Sequence, residues 1–242
     1  MMKRAKIFEI PTLRNKTHIF KDRDDAARVL AQMLEPYYKD APETIVMGIP
    51  SGGVPIAIGI AMHLRLPLDL FIVRKIQIPG NPEAGMGALS FSGGLFLNQP
   101  LIDRLGITPE QVEGQIQRVK RELVKRNALF RAGRPLPDLS QKTVIIADDG
   151  LASGFTALAA VKGVRSLGAQ KVVVAIPTAS DTAIERLLAD VDEIFCPNIR
   201  SGYCFAVADA YQNWYDLEAQ EVITMLEKAG YLDNKSWNKA VA

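Results

Sequence analysis

The run Val144-Ile145-Ile146-Ala147-Asp148-Asp149-Gly150-Leu151-Ala152-Ser153-Gly154-Phe155-Thr156 sets four apolar residues before two acids and a turn of small and hydroxyl-bearing residues after them. Two grips of different chemistry follow. Backbone N–H groups of residues 152–156, with the hydroxyls of Ser153 and Thr156, would meet a phosphate at the positive end of the helix that starts there. The carboxylates of Asp148 and Asp149 could accept hydrogen bonds from sugar hydroxyls or hold a hydrated cation. A sugar phosphate satisfies both. The plainer alternative, a solvated strand end followed by a helix cap, accounts for the acids but leaves the turn beside them unexplained.

Other stretches could serve the same ligand. Pro50-Ser51-Gly52-Gly53 follows an apolar run and is either a ligand loop or simply a tight strand-to-helix turn. Arg74 and Lys75 end another apolar run, either as an anion grip or as a solvated pair. Residues 79–87, rich in Gly, Pro and Asn and containing Glu83, read as a mobile loop, whether lid or surface connection. His18 and His63 stand alone beside apolar residues and read as structural. Residues 118–134 hold Arg118, Lys120, Arg121, Lys125, Arg126, Arg131 and Arg134 against the single acid Glu122. That is a solvated helix face or, alternatively, a nucleic-acid contact.

These residues need a frame, and periodicity supplies one. Residues 22–38 place Ala26, Val29, Leu30, Met33, Leu34 and Tyr37 on one helical face behind Asp22 as N-cap. Then come a strand at 44–49, a helix at 54–64, a strand at 68–73 and a hairpin around Gly93-Gly94. A long helix follows from Thr108-Pro109-Glu110-Gln111, a capping-box pattern, to about Phe130. From residue 143 the order is strand 143–147, helix 154–167, strand 171–176, helix 181–189 and strand 192–196. Such alternation gives an α/β fold with a mostly parallel central sheet flanked by helices. Ligands of open parallel sheets lie beyond the carboxyl ends of the strands, so the loops after Ile49, Val73, Ala147 and Cys196 are the ones to watch. The aromatic stretch from residue 197 to 218 leads to a last helix near 218–228.

Composition narrows the classes. With 29 Lys+Arg against 27 Asp+Glu in 242 residues, the net charge of +2 gives no overall grip on nucleic acid or an anionic membrane. Its 48% hydrophobic residues match an ordinary folded chain. Apolar stretches such as that at 171–177 are far shorter than the roughly 20 residues of a membrane helix, and the basic N-terminus meets Glu9 and Pro11 too early for a secretion signal. Cys196 and Cys204 have neither metal-site spacing nor the density of a disulfide scaffold, which fits a reducing cytoplasm.

The strand, acid pair and Ser-Gly-x-Thr turn resemble the signature of the type I phosphoribosyltransferases. Pro50-Ser51-Gly52-Gly53 resembles that family's diphosphate loop, Arg74-Lys75 its basic strand end, and the likeness spans about residues 20 to 225. It implies a single domain over 1–242, with a core at about 20–198, a small irregular hood from the N-terminal segment and about 199–216, and a C-terminal helix at about 218–229. The implied substrate is 5-phospho-α-D-ribosyl 1-diphosphate (PRPP), with Mg²⁺ held mainly by PRPP and water and no direct protein ligand. Asp148 and Asp149 would meet the ribose hydroxyls, Ala152, Ser153, Gly154, Phe155 and Thr156 would meet the 5-phosphate, and Gly150 and Leu151 would also line the PRPP site. Ser51, Gly52 and Gly53 would face the diphosphate, and Arg74 and Lys75 would neutralise it as it leaves. A cis peptide is expected near Pro50-Ser51-Gly52. Phe205 and Tyr203 would bind the acceptor, although the aromatics between residues 203 and 215 could equally be core or dimer contacts. The expected activity is phosphoribosyl transfer to a nucleobase-like nitrogen in nucleotide salvage, by a homodimer. Many members carry Arg or Lys where Ser51 stands. The alternative is therefore a PRPP-sensing regulator without turnover, with nucleic acid as a partner in that case only.

Overall fold

The structure is a computed structural model that describes residues 4–202 and 204–232. At its centre six parallel strands run in the order β1 (Lys6–Phe8), β10 (Glu193–Phe195), β8 (Lys171–Ala175), β7 (Thr143–Ala147), β2 (Thr44–Gly48) and β3 (Leu68–Leu70). Strands β2, β7 and β8 are continuous apolar runs because both sheet faces are covered. Their side chains alternate between two cores. Val46, Ile145 and Val173 join one core with α1 (Arg23–Tyr38), α2 (Gly53–Leu64), α3 (Gln99–Arg104), α4 (Pro109–Arg131) and α7 (Ala219–Lys228). Met47, Ile146 and Val174 join the other with α5 (Phe155–Ser166) and α6 (Asp181–Leu187).

Local signals fix several helix ends. The Asp22 carboxylate accepts from Asp25 N–H at 3.0 Å and caps α1. Thr108 and Gln111 form the reciprocal box that starts α4, an arrangement worth about 1 kcal/mol. The edge strand β1 and the short parallel pair β9 (Thr178–Ser180) with β11 (Asn198–Arg200) carry no periodic signal that the sequence reading picks up.

Two expectations are corrected. The apolar run 68–73 is not one strand, since Val73 opens β4 (Val73–Ile78) in a separate antiparallel sheet with β5 (Asn81–Ser90) and β6 (Leu95–Leu97). The chain changes partners in mid-run. Phe71 N–H donates to Gly48 O at 2.9 Å, whereas Ile72 O accepts from Phe91 N–H at 2.8 Å. The expected loop at 79–87 is mostly strand β5, which pairs with β4 through a register shift at Gln77. Its glycines mark tight approach: a Cβ on Gly87 would lie 2.2 Å from Phe96 O.

The basic segment on α4 is not one solvated face. Arg131 is fully buried and makes a two-pronged pair with Asp69, both bonds at 2.9 Å, while Tyr231 Oη also donates to Asp69. Arg134 lies over the Tyr231 ring at 4.2 Å, and Arg126 turns inward. Lys120, Arg121 and Lys125 stay exposed. Among the described residues no helix is long and apolar enough to cross a membrane, and Cys196 and Cys204 are both unbridged.

Candidate active site

Strands β2 and β7 are neighbours in register, so the loops that leave them meet at their carboxyl ends. The Pro50–Ser51 peptide is cis, where the resemblance places one. The loop then presses on the acids. A Cβ on Gly52 would fall 1.8 Å from Asp149 Oδ2, and one on Gly53 would fall 2.5 Å from Ala147 O. Only glycine permits this approach.

The two acids have different surroundings. Arg23, in the first turn of α1, donates from Nε at 3.0 Å and Nη2 at 2.9 Å to Asp149 Oδ2. Its Nη1 reaches Tyr215 O at 2.9 Å, and its guanidinium lies 4.0 Å from the Trp214 ring. Tyr211 Oη donates to Asp149 O at 2.6 Å. Asp149 is thus tied to α1 and to the segment holding Tyr211 and Tyr215. Burial raises its pKa and the Arg23 charge opposes that rise. Among the described residues no cation is bonded to Asp148, whose Oδ1 accepts from Asp149 N–H at 2.9 Å. Burial, and then the neighbouring Asp149 charge, push its pKa well above the usual carboxylate range.

Beyond the acids, Leu151 N–H donates to Thr178 O at 2.9 Å, and Ser180 Oγ donates to Ala152 O at 2.7 Å, so β9 fixes the turn. Gly154, at φ +76°, starts α5 without a side-chain cap. The first-turn N–H groups therefore receive no side-chain cap from Gly154. Ser153 Oγ accepts from Phe155 N–H at 3.4 Å. Leu151 is buried in the core and Phe155 stacks on Phe96, so these two offer the site their backbone only. A Cβ on Gly150 would meet Val207 at 2.6 Å, which brings the hood against the turn.

Arg74 and Lys75 are adjacent on β4 and so face opposite sides of it. Arg74 turns to α4, where Nη2 lies 3.3 Å from Glu122. Lys75 is exposed and lies along Gly85 on the other side. Phe205 is half-buried in the hood under the Arg200 guanidinium at 4.8 Å; Arg200 in turn holds Ala206 O and Asp209, both at 3.0 Å. Tyr203 and the side chain of Glu83 lie outside the described residues.

Three residues escaped the sequence reading as site groups: Arg23, Arg126 and Tyr211. Arg23 left one trace. A cation in the first turn of a helix is disfavoured by the helix dipole, and the Asp149 carboxylate resolves that misfit.

Residues 18–209 match the family model described as "Phosphoribosyl transferase domain". Over 211 residues, 87% of this chain, the sequence is 36% identical to a protein of Mycobacterium tuberculosis (strain ATCC 25618 / H37Rv) named "Putative phosphoribosyl transferase". The same identity holds for its counterpart in strain CDC 1551. The matched stretch is 47% of that relative, so the chain spans about half the length of the curated relatives it matches. The crystal structure of the protein TT1426 from Thermus thermophilus superposes with a TM-score of 0.70 at 32% identity, covering 86% of this chain and 98% of the other.

Proposed function

The chain belongs to the phosphoribosyl transferase domain family, and from that membership we propose that it binds PRPP and transfers the phosphoribosyl group to a ring nitrogen of a nucleobase-like acceptor, releasing diphosphate. The observation that carries the reading is the contact of the cis-peptide loop with the acid pair, Gly52 fitted against Asp149, beside the uncapped start of α5. Those three features supply adjacent places for a diphosphate, a ribose and a 5-phosphate.

In this reading the turn at 152–156 holds the 5-phosphate through backbone N–H groups and the Ser153 and Thr156 hydroxyls. Asp148 accepts from the ribose hydroxyls. Asp149, held by Arg23, positions the loop and the hood more than it touches sugar. The anomeric C–O bond to diphosphate breaks as the bond to the acceptor nitrogen forms, and the acceptor gives up its N–H proton. The protein contributes mainly placement of the reactants and stabilisation of the departing charge.

Among the described residues no three His, Cys, Asp or Glu side chains converge as a metal cage. In this reading Mg²⁺ would arrive with PRPP, and Asp148 would accept from the water the ion carries. When bound, the ion neutralises diphosphate charge. Phe205 in the hood is the acceptor platform in this reading, and assembly as a homodimer and a role in nucleotide salvage belong with it. For the regulator alternative the basic segment is reduced, since Arg126, Arg131 and Arg134 turn inward and leave Arg118, Lys120, Arg121 and Lys125 exposed.

Calorimetric titration with Mg²⁺ and PRPP, then with ribose 5-phosphate, tests the site, and an acceptor panel read by diphosphate release tests the transfer. Micromolar PRPP binding that Asp148→Asn abolishes supports the reading. Absence of PRPP binding at millimolar concentration overturns it.

A further inference from the structure

The loop at residues 50–53 contains no cation of its own, yet a guanidinium from another element reaches it. Arg126, on α4, donates from Nη2 to Ser51 Oγ at 3.3 Å. The guanidinium lies 4.8 Å from the Phe130 ring one turn on, which fixes its direction. Its Nε is buried and has no hydrogen-bond partner. Among the described residues it takes part in no ion pair, because Glu122, one turn back, is engaged with Arg74 and Arg118. Burial, and then the nearby Arg74 charge, act against the Arg126 charge, and Glu122 opposes them. The Glu122 carboxylate is thus shared by Arg74 and Arg118, and the third guanidinium, that of Arg126, reaches the loop with an unfilled donor.

A charged group withdrawn from water with a donor unfilled and a like charge beside it is costly to hold. An anion resting on the loop beside Ser51 would meet the Nη2 edge of the guanidinium and offset the repulsion. Phosphate oxygens suit the planar fork of a guanidinium. We propose that Arg126 is a substrate-contacting cation of the diphosphate subsite, delivered by helix α4 and not by the loop or by strand β4. The assignment rests on the PRPP reading above and deepens it. Arg126 binds the diphosphate of PRPP, and it stabilises the charge that develops there as the anomeric bond breaks.

The test is calorimetry on the full chain with three probes, inorganic diphosphate with Mg²⁺, PRPP with Mg²⁺, and ribose 5-phosphate. The proteins are the wild type, Arg126→Gln, Arg126→Lys, and Arg121→Gln as an exposed control on the same helix. Arg126→Gln is expected to weaken diphosphate and PRPP by roughly 10- to 100-fold, the loss of a charge-assisted hydrogen bond, and to leave ribose 5-phosphate within about twofold. Arg126→Lys, which keeps the charge and is the safer variant for folding, should fall between. Arg121→Gln should match the wild type.

If both Arg126 variants bind diphosphate and PRPP as the wild type does, the assignment is overturned while the PRPP site stands. If Arg126→Lys or Arg126→Gln loses ribose 5-phosphate as strongly as diphosphate, Arg126 is a packing residue and the assignment is again overturned. If the wild type binds none of the three probes, the PRPP reading itself falls and takes the assignment with it.

Discussion

The loop between β7 and α5 and the long helix α4 contribute to the candidate site in opposite ways. In the first, acids, turn and helix start are contiguous, and each is placed by the strand that precedes it. In the second, residues useful at the site are spread among charges with other tasks, and their partners are remote: Arg126 meets Ser51 75 positions away and Arg131 meets Asp69 62 positions away. Arg23 repeats that pattern from α1, reaching Asp149 across 126 positions. The anionic half of the site is therefore written in one local stretch, and the cationic half is assembled by packing.

The largest effect should come from breaking that packing. Arg131→Met strips Asp69 of a buried two-pronged partner, and breaking a buried pair from one side costs about 3–5 kcal/mol. Chemical denaturation should show that loss. If the midpoint moves by less than the equivalent of about 1 kcal/mol, the α4 end is not anchored as described. Gly52→Ala attacks the local half, forcing a Cβ to within 1.8 Å of the Asp149 carboxylate. Overpacking of this kind costs about 1–3 kcal/mol. Because the contact joins loop to acid, PRPP affinity should fall by more than about 100-fold, the equivalent of roughly 3 kcal/mol. Normal affinity in this variant would separate the loop from the site.

The fold was legible where one period governed a whole element. The core strands at 44–49, 143–147 and 171–176 and the capped helices α1 and α4 follow from apolar runs and cap residues. It was not legible where chain neighbours with the same character part company. Leu68, Leu70, Phe71, Ile72 and Val73 are all buried, so nothing in their pattern marks the change of sheet between Phe71 and Ile72. Gly85 and Gly87 looked like slack and are close approaches of strand to strand. At the candidate site the acid pair and the turn after it stand in one local stretch of sequence, whereas Arg23 and Arg126 reach it only through partners that folding brings to them.

The Asp148 carboxyl allows the comparison to be sharpened by pH. Its pKa in the folded protein is raised by burial and by the Asp149 charge. Between its unfolded and folded pKa values the folded state holds the extra proton, so stability falls as pH rises through that window. Above the window the ionised group costs stability; below it the cost disappears. Asp148→Asn should therefore stabilise the protein at neutral pH, by about 1–3 kcal/mol if it relieves an uncompensated buried polar group. The same change should abolish PRPP binding. Thermal melts of wild type and variant should converge as pH falls below the window. A variant less stable than wild type at neutral pH would mean that the carboxylate is a structural acceptor.

The smallest expected effect lies on α4 away from the site. Gly114 is inside the helix, and a Cβ there would meet nothing within 4 Å. Gly114→Ala removes backbone freedom from the unfolded chain without new contact, a gain of about 0.4–1 kcal/mol. If α4 serves as a rigid arm for Arg126, stiffening it at its far end should leave PRPP and diphosphate affinities unchanged while the melting temperature rises. A rise in stability with a fall in diphosphate affinity would show instead that the arm must bend for Arg126 to reach its anion. The cationic half of the site would then depend on the motion of α4 as well as on its packing.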